Sequence, residues 1–189
     1  MSENNISYPF WKKNKKIKFL FEVIGYNNLM FVGGAVRSAI NYESTSDIDL
    51  AVSINPNKVK KILNANNIKF FDNSKGHGTI TLEASNYKIE ITSLRIDKIS
   101  YGRKAKVEFT NDFYLDSCRR DFTINAIYSD FNGKLYNPHK GAEDLKRNII
   151  KFIGNPEKRI SEDHLRILRY FRFVAILNSK KKELHKKSL

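Results

Sequence analysis

Apolar residues recur at helical spacing in several segments of the chain. In residues 12–25 they fall every three or four positions, as on the buried face of an amphipathic helix. An Asn55-Pro56 pair suits the N-cap and first turn of another helix, which we expect to end near residue 66. Short helices are also predicted over residues 35–41, 112–120 and 141–147.

Apolar runs and alternating segments predict the strands. These are residues 29–32, 47–53, 68–71, 77–82 and 87–94, with a strand or extended segment at 149–153. Ser85-Asn86 separates two of the alternating segments and predicts a hairpin. Asn132-Gly133, inside residues 126–136, is a strong signal for another hairpin turn.

The order of these elements indicates an α+β fold, with a small mixed sheet first and helices afterwards. Residues 1–11 are expected to be loosely ordered, and the polar residues 95–110 to form a mobile loop. A final helix begins at Ser161, which would act as its N-cap. The apolar face of that helix consists of Ile167, Leu168, Phe171 and Val174.

The composition allows one full domain with a small appendage. The chain has 189 residues, of which 41% are hydrophobic, enough to build a core. Its formal net charge of +14 favours a polyanionic partner, most plausibly nucleic acid. Solubility alone is another use for such charge, so the charge supports this interpretation without establishing it.

The cysteine content and hydropathy favour a cytoplasmic protein. Cys118 is the only cysteine, which fits a reducing compartment and excludes an intramolecular disulfide. The lysines of residues 12–18 precede only a short apolar stretch, so we expect no signal peptide. No apolar run approaches the length of a membrane span, and we expect no membrane partner.

The most informative chemical pattern is a glycine pair followed by two closely spaced aspartates. In a strand, Asp47 and Asp49 project side by side while Ile48 and Leu50 enter the core. Two adjacent carboxylates suit Mg²⁺, and Gly33-Gly34 can bring backbone amides close to an anion at a helix start. Together they indicate a site for a metal–nucleoside triphosphate. Taken singly, either motif is more often a surface carboxylate pair or a plain turn.

A second polar cluster precedes the strand at residue 126. Arg119 and Arg120 can neutralise a triphosphate and bind its oxygens bidentately. Asp121 and Asn125 could hold a ribose hydroxyl. The alternative is a salt-bridge cluster at an interface.

Two further groups of charged residues have both a functional and a structural interpretation. Asp163, Arg166 and Arg169 are three residues apart on the final helix and could present an acceptor and donors to a base edge. They could equally form ordinary ion pairs on a solvated face. Glu90 could be a third catalytic carboxylate beside the two aspartates, or a polar residue on the open sheet face.

Five motifs occur in a fixed order along the chain. They are Gly33-Gly34-Ala-Val-Arg37, Asp47-Ile-Asp49, Arg119-Arg-Asp-Phe-Thr-Ile-Asn-Ala126, Gly141-Ala-Glu-Asp-Leu145 and Glu162-Asp-His-Leu-Arg-Ile-Leu-Arg169. This set, over roughly residues 28–177, resembles the bacterial-type (class II) tRNA nucleotidyltransferase and poly(A) polymerase family. Such enzymes add CCA, or a poly(A) tail, to RNA 3′ ends without a nucleic-acid template.

The resemblance implies a role for each matched residue. Asp47 and Asp49 would hold two Mg²⁺ ions, one activating the RNA 3′-OH and one bridging the triphosphate of CTP or ATP. The implied phosphate-binding residues are Gly33, Gly34, Arg37 and Arg120. The implied ribose-binding residues are Asp121 and Asn125, and the base-reading residues are Asp163 and Arg166, supported by Arg169.

The resemblance also implies a domain organisation. Residues 1–27 would be an N-terminal basic segment and helix, residues 28–137 a nucleotidyltransferase head of the polymerase beta-like type, and residues 138–189 the start of an all-α neck. Residues 95–110 would match the loop used in the switch from C to A addition. The partner would be tRNA or another RNA 3′ end.

Several alternatives stay open at this point. Family members continue into a helical body and tail, so we expect this chain to stop within the neck. A second polypeptide could supply the rest, the chain could be a decayed fragment, or it could be cut. The activity could be poly(A)-type adenylation, or the head could bind nucleotide or RNA with little turnover of its own.

Overall fold

A six-stranded mixed sheet forms the centre of the computed structural model, which describes residues 5–72, 76–84, 87–101 and 104–187. The strands in chain order are β1 (Leu29–Val32), β2 (Asp47–Val52), β3 (Thr79–Ala84), β4 (Tyr87–Ser93), β5 (Arg95–Tyr101), β6 (Lys104–Phe109), β7 (Tyr128–Ser129) and β8 (Leu135–Tyr136). The sheet order is β3-β4-β2-β1-β7-β8. β2 and β4 pair in parallel and the other neighbours are antiparallel, while β5 and β6 form a separate antiparallel pair.

Helices flank this sheet. They are α1 (Lys15–Ile24), α2 (Gly34–Ile40), α3 (Pro56–Ala65), α4 (Phe113–Cys118), α5 (Gly141–Lys146), α6 (Pro156–Glu162) and α7 (Leu165–Lys187), with 3-10 turns at Phe10–Lys13 and Thr123–Asn125. Asn55 caps α3 through its side chain and Pro56 follows at the first turn, as predicted. The predicted α+β class, a small mixed sheet flanked by helices, is confirmed. No described helix combines the length and apolar content that crossing a bilayer would require.

The two faces of the sheet have different roles. Phe31 lies directly opposite Leu50 in the β1–β2 register, so both side chains point to one face. Trp11 and Phe21 stack on Phe31, with ring centroids 3.9 Å and 5.1 Å away, which places α1 on that face. Asp49 alternates with Leu50 along β2 and therefore points to the opposite face.

Two loop and strand predictions for the middle of the chain are wrong. Residues 95–101 and 104–109 form β5 and β6 rather than a loop, because the two strands pair and satisfy each other's backbone groups. Residues 68–71 do not form a strand, since only Phe71 makes an isolated bridge, to Thr81. The predicted turn at Ser85-Asn86 and the tip of the β5–β6 pair at residues 102–103 lie outside the described residues.

The predictions for the two ends of the chain also need correction. Within the described part of residues 1–11 the chain is anchored: Ile6 and Trp11 are buried, and the Ile6 amide donates to the Gly133 carbonyl at 2.8 Å. Ser161 does not start the final helix, because it lies inside α6, where its hydroxyl bonds to the Lys158 carbonyl. Asp163 provides the cap of α7 instead, accepting from the Leu165 amide at 3.0 Å.

Helix α7 does not pack on the core through the whole apolar face that its sequence predicts. Tyr170 and Phe173 pack against the core and Leu177 is buried within it. Leu168 and Phe171 are 67% and 63% exposed. The apolar face identified from the sequence therefore faces largely away from the head.

Trp11 tests whether the N-terminal segment belongs to the fold. Its ring is completely buried on Phe31, and its indole N–H donates to the Phe131 carbonyl at 3.0 Å. We expect Trp11→Ala to lower the free energy of unfolding by about 3–5 kcal/mol in urea titrations. Tyr8→Ala, at a side chain that is 84% exposed, is the control and should change it by less than about 0.5 kcal/mol. Equal effects would mean that residues 5–11 are not docked in solution.

Candidate active site

The predicted site residues gather around one open cavity of about 900 Å³. It lies on the sheet face to which Asp49 points and is closed on one side by α7. All the site residues predicted from the sequence except Glu90 line it: Gly33, Gly34, Arg37, Asp47, Asp49, Arg119, Arg120, Asp121, Asn125, Asp163, Arg166 and Arg169.

The glycine pair brings the start of α2 close to the aspartates. Gly33 caps α2 with a φ of +65°, a conformation that glycine adopts without strain. A Cβ at this position would lie 3.6 Å from the nearer Asp49 oxygen. The turn at Gly33 thus leads the backbone directly past the carboxylate.

Asp47 and Asp49 project from β2 as its alternation predicts, with Ile48 buried between them. Burial and the neighbouring Glu90 carboxylate raise the pKa of Asp49, although Arg120 and Arg37 oppose this. Burial is the larger cause, so the raised pKa mainly reflects the loss of water around a carboxylate that lies beside another acid.

Glu90 lies beside this pair but outside the cavity lining. It is opposite Asp49 in the parallel β2–β4 register, so both side chains point to the same face. Its carboxylate pairs with Lys88 at 2.7 Å, and this contact raises the pKa of the Lys88 ammonium. Glu90 therefore adds charge next to Asp49 while being partly neutralised by its own partner.

The acidic pair fits a magnesium ion shared with a substrate, rather than a complete protein cage. Within the described ranges no three His, Cys, Asp or Glu side chains come together as a metal-binding group. Mg²⁺ is commonly held by one or two carboxylates together with substrate phosphates, and Asp47 and Asp49 provide such a set. The adjacent carboxylates of Asp47 and Asp49 on one strand favour a cation at the same place.

Arg37 lies on α2 and lines the cavity. Its guanidinium donates to the Asn125 side chain and lies 5.0 Å from the centre of the Phe173 ring. Burial lowers the pKa of Arg37 to about 10, against the opposing influence of Asp121 and Asp49. The group is still protonated at neutral pH and can meet an anion there.

Asp121 joins the segment before β7 to helix α7. It accepts from the Asn125 amide at 2.8 Å and from the Arg169 Nε at 2.6 Å. Its other contact is the Phe122 backbone amide at 2.8 Å. Burial opposes ionisation, but Arg169 and these hydrogen bonds hold the pKa of Asp121 below its usual value.

Asp116 is a central residue that sequence reasoning missed. Its carboxylate is 1% exposed and accepts from Arg119 at 2.8 Å and from Arg120 at 3.1 and 3.2 Å. The Tyr128 hydroxyl also donates to it at 2.8 Å. Burial opposes ionisation, but Arg120 and Arg119 keep the pKa of Asp116 below its usual value. Its spacing of three and four residues from the arginines in a predicted helix was the available signal.

Arg159 and Glu162 are two more residues that the sequence analysis did not single out. Arg159 donates to the backbone carbonyls of Arg119 and Arg120, so α6 holds the backbone of the arginine pair. Glu162 accepts from Arg159 at 2.6 Å and from Arg166 at 2.8 Å. Arg166 thus lines the cavity from a position fixed by α6.

The chain matches known proteins over most of its length. A sequence profile described as "Poly A polymerase head domain" matches residues 29–151. The chain belongs to this family. Among its relatives, human CCA tRNA nucleotidyltransferase 1, mitochondrial, is 43% identical over 162 residues, which cover 84% of this chain and 37% of the relative. The CCA-adding enzyme of Streptococcus gordonii is 39% identical over 150 residues, covering 78% of this chain and 37% of that protein.

Solved structures of this family share the fold of the head. The Bacillus stearothermophilus CCA-adding enzyme in complex with CTP superposes with a TM-score of 0.69 at 34% identity, covering 82% of this chain and 39% of that one. A tRNA nucleotidyltransferase complexed with a primer tRNA and an incoming ATP analog gives 0.65 at 28% identity, covering 80% and 42%. The chain thus spans about 37% of the length of the curated relatives quoted above.

The buried charge of Asp116 should be measurable as a pH-dependent contribution to stability. The folded-state pKa lies below the unfolded value of about 3.9, so the stabilisation is present above that value and is lost as the pH falls through the folded pKa. We expect Asp116→Asn to lower the free energy of unfolding by about 3 kcal/mol at pH 7, because two arginines lose their counter-charge.

The measurement is urea unfolding of both proteins from pH 7 to pH 3. The difference between them should be constant above about pH 5 and should shrink on further acidification. Asp130→Asn, at a half-buried acid in the turn between β7 and β8 that makes no contact with the arginine pair, controls for general acid effects. A difference that stays the same down to pH 3 would show that the charge of Asp116 does not hold the arginines.

Proposed function

We propose that this chain is the catalytic head of a template-independent RNA nucleotidyltransferase that adds CMP and AMP to RNA 3′ ends, as in tRNA CCA addition. The observation that supports this most is the single cavity that contains both a carboxylate pair and a set of arginines. A metal–triphosphate needs carboxylates to hold its metal ions and cationic side chains to bind its phosphates, and both must lie within the length of one nucleotide. Relatives named as CCA-adding enzymes support the same activity.

Asp47 and Asp49 are proposed to hold two Mg²⁺ ions. When bound, Mg²⁺ would activate the RNA 3′-OH and neutralise charge on the triphosphate. Glu90 is proposed as a further carboxylate that increases the negative potential at Asp49, since the two are paired in register. The three side chains project from adjacent strands, which fixes them without a loop.

The remaining predicted residues are proposed to bind the nucleotide. The phosphate-binding residues are Gly33, Gly34, Arg37 and Arg120, and the ribose-binding residues are Asp121 and Asn125. Asp163 and Arg166 are proposed to read the base, with Arg169 holding α7 against Asp121. CTP and ATP are the proposed substrates, and tRNA or another RNA 3′ end is the proposed acceptor.

We also propose the domain organisation and cellular setting inferred from the sequence. Residues 1–27 form the N-terminal segment, residues 28–137 the head and residues 138–189 the start of a helical neck. The exposed side chains of Leu168 and Phe171 are proposed to pack against a body and tail, for which a second polypeptide is one source. The single Cys118 supports a cytoplasmic location.

Nucleotide incorporation by Asp47→Ala tests the proposed reaction. With Mg²⁺, labelled CTP or ATP and tRNA lacking its 3′ CCA, we expect the unmutated chain to extend the RNA. Asp47→Ala should reduce the rate at least 100-fold, because one of two metal-holding carboxylates is removed. Its RNA binding should be unchanged or stronger, since a negative charge is removed.

Glu157→Ala is the control, because Glu157 is exposed in the first turn of α6, away from the cavity, and its removal should not change incorporation. The products distinguish CCA addition from a growing poly(A) tail. RNA binding without incorporation by the folded, unmutated chain would favour a head that binds but does not turn over alone. Incorporation that survives Asp47→Ala would contradict the proposed metal site.

Asp163→Asn tests the proposed base-reading residue. Asparagine can keep the cap of α7, but it replaces one carboxylate oxygen with an amide donor. Cytosine and adenine both present an exocyclic amino donor, whereas uracil and guanine present a carbonyl there. We expect Asp163→Asn to lose CTP and ATP incorporation by about tenfold and to gain UTP or GTP incorporation.

Competition between labelled nucleotides on one RNA measures this selectivity. Glu157→Gln, at an exposed acid in the first turn of α6, is the control and should leave the preference unchanged. If Asp163→Asn slows all four nucleotides equally, Asp163 only caps the helix.

A further inference from the structure

Among the side chains that the structure describes, those lining the active-site cavity do not account for the surplus positive charge of the chain. Seven of the described lining residues are arginines: Arg37, Arg95, Arg119, Arg120, Arg166, Arg169 and Arg172. Six acids line it with them: Glu43, Asp47, Asp49, Asp97, Asp121 and Asp163. The cavity is therefore close to neutral although the whole chain has a formal net charge of +14.

Half of the net positive charge of the chain comes from two short stretches, residues 12–24 and residues 56–72. They hold nine lysines, which we call the lysine face: Lys12, Lys13, Lys15, Lys16, Lys18, Lys58, Lys60, Lys61 and Lys69. Only Glu22 and Asp72 oppose them in these stretches. Compositional enrichment in lysine would spread these residues evenly, whereas here a sixth of the chain holds nine of its 24 lysines.

The fold brings the two stretches together. Helices α1 and α3 contact each other, and their apolar stripes enter the same core. On α1 the buried side chains include Ile17 and Leu20, and on α3 they include Val59 and Leu63. With those positions inside, the lysines between them can only point outward, and all except the half-buried Lys60 are exposed.

The lysine face lies on the opposite side of the sheet from the catalytic carboxylates. Helix α1 covers the face to which Phe31 and Leu50 point, whereas Asp49 points to the other face. An anion held by these lysines is consequently separated from the nucleotide cavity by the sheet. The lysine face cannot be an extension of the triphosphate site.

Most of these ammonium groups lack a protein counter-charge. Lys18 pairs weakly with Glu22 at 3.8 Å, and Lys60 pairs with Asp72. Among the residues that the structure describes, no carboxylate lies within 4.0 Å of the other seven lysines. These seven charges, four of them on the adjacent helices α1 and α3, repel one another, and a polyanion would relieve that repulsion.

We propose that the lysine face binds the phosphate backbone of RNA at a second contact, remote from the 3′ end that enters the cavity. This inference rests on the proposed function for the identity of the polyanion. Phosphate contacts by lysine are independent of sequence, so they would strengthen and orient the RNA without selecting the nucleotide added.

The test is a quadruple variant, Lys15→Gln, Lys16→Gln, Lys58→Gln and Lys61→Gln, in the full chain. Its affinity for labelled tRNA is measured between 50 and 200 mM salt. We expect binding at 50 mM to weaken about tenfold or more, and the slope of log affinity against log salt to fall by about one unit for each RNA phosphate that the variant no longer neutralises. CTP affinity should not change, because the substitutions lie across the sheet from the cavity.

A matched control removes four exposed lysines elsewhere: Lys134, Lys140, Lys146 and Lys151. It changes the net charge equally, so an equal weakening of RNA binding in the control would overturn the proposal. Unchanged RNA binding by the lysine-face variant would also overturn the proposal. Binding to vesicles that contain phosphatidylserine is measured in parallel, and a variant that loses vesicle binding but keeps RNA binding would overturn it as well. Because binding is measured without turnover, an inactive unmutated chain that still shows the lysine-face effect would contradict only the proposed reaction.

Discussion

The buried carboxylate of Asp116 is the group on which the arrangement of the cavity depends. It holds the side chains of Arg119 and Arg120 and accepts the Tyr128 hydroxyl, so it joins α4 to the strand that follows the arginines. An arginine side chain has four rotatable bonds, and an unrestrained pair would lose much of its freedom on binding an anion. Because Asp116 already restrains both, that loss of freedom occurs during folding rather than during binding.

A second charged contact connects this cluster to the final helices. Arg159 holds the backbone carbonyls of the arginine pair, and Asp121, the next residue, accepts from Arg169 on α7. Residues 119–121 are therefore held by α4 through Asp116 and by α6 and α7 through Arg159 and Arg169. Residues proposed to contact phosphate, ribose and base consequently depend on one network, in which removal of a single member will affect the others.

Local patterns predicted the sheet and the acidic pair because each depends on few neighbours. The alternation along β2 fixed the directions of Asp47 and Asp49, and Asn132-Gly133 marked the β7–β8 turn, where Gly133 has a φ of +95°. The prediction for the β5–β6 pair was wrong because charged residues are interspersed among its apolar residues, and because its two strands pair with each other apart from the main sheet. The polar character of a segment does not reveal the backbone hydrogen bonds that such a pair makes.

The sequence predicted which residues form the site but not which of them contact one another. Every predicted site residue except Glu90 lines the cavity, yet the partners of the arginines depend on tertiary placement. Asp116 was within reach of a helical-spacing argument, whereas the contact from Arg159 spans about 40 residues of sequence and no local rule indicates it. The packing of α7 shows the same limit, because two apolar stripes were available and only the core determined that Tyr170 and Phe173 face inward.

Net charge, finally, is a poor guide to the location of an anion site in this chain. Arginines in the cavity are matched by nearby acids, since buried guanidinium groups need counter-charges to be tolerated. Lysines collect instead on the outer sides of α1 and α3, where their long side chains stay hydrated and no counter-charge is required. The formal charge of +14 therefore mostly reports surfaces outside the cavity, and any role it has in binding a polyanion must be sought there.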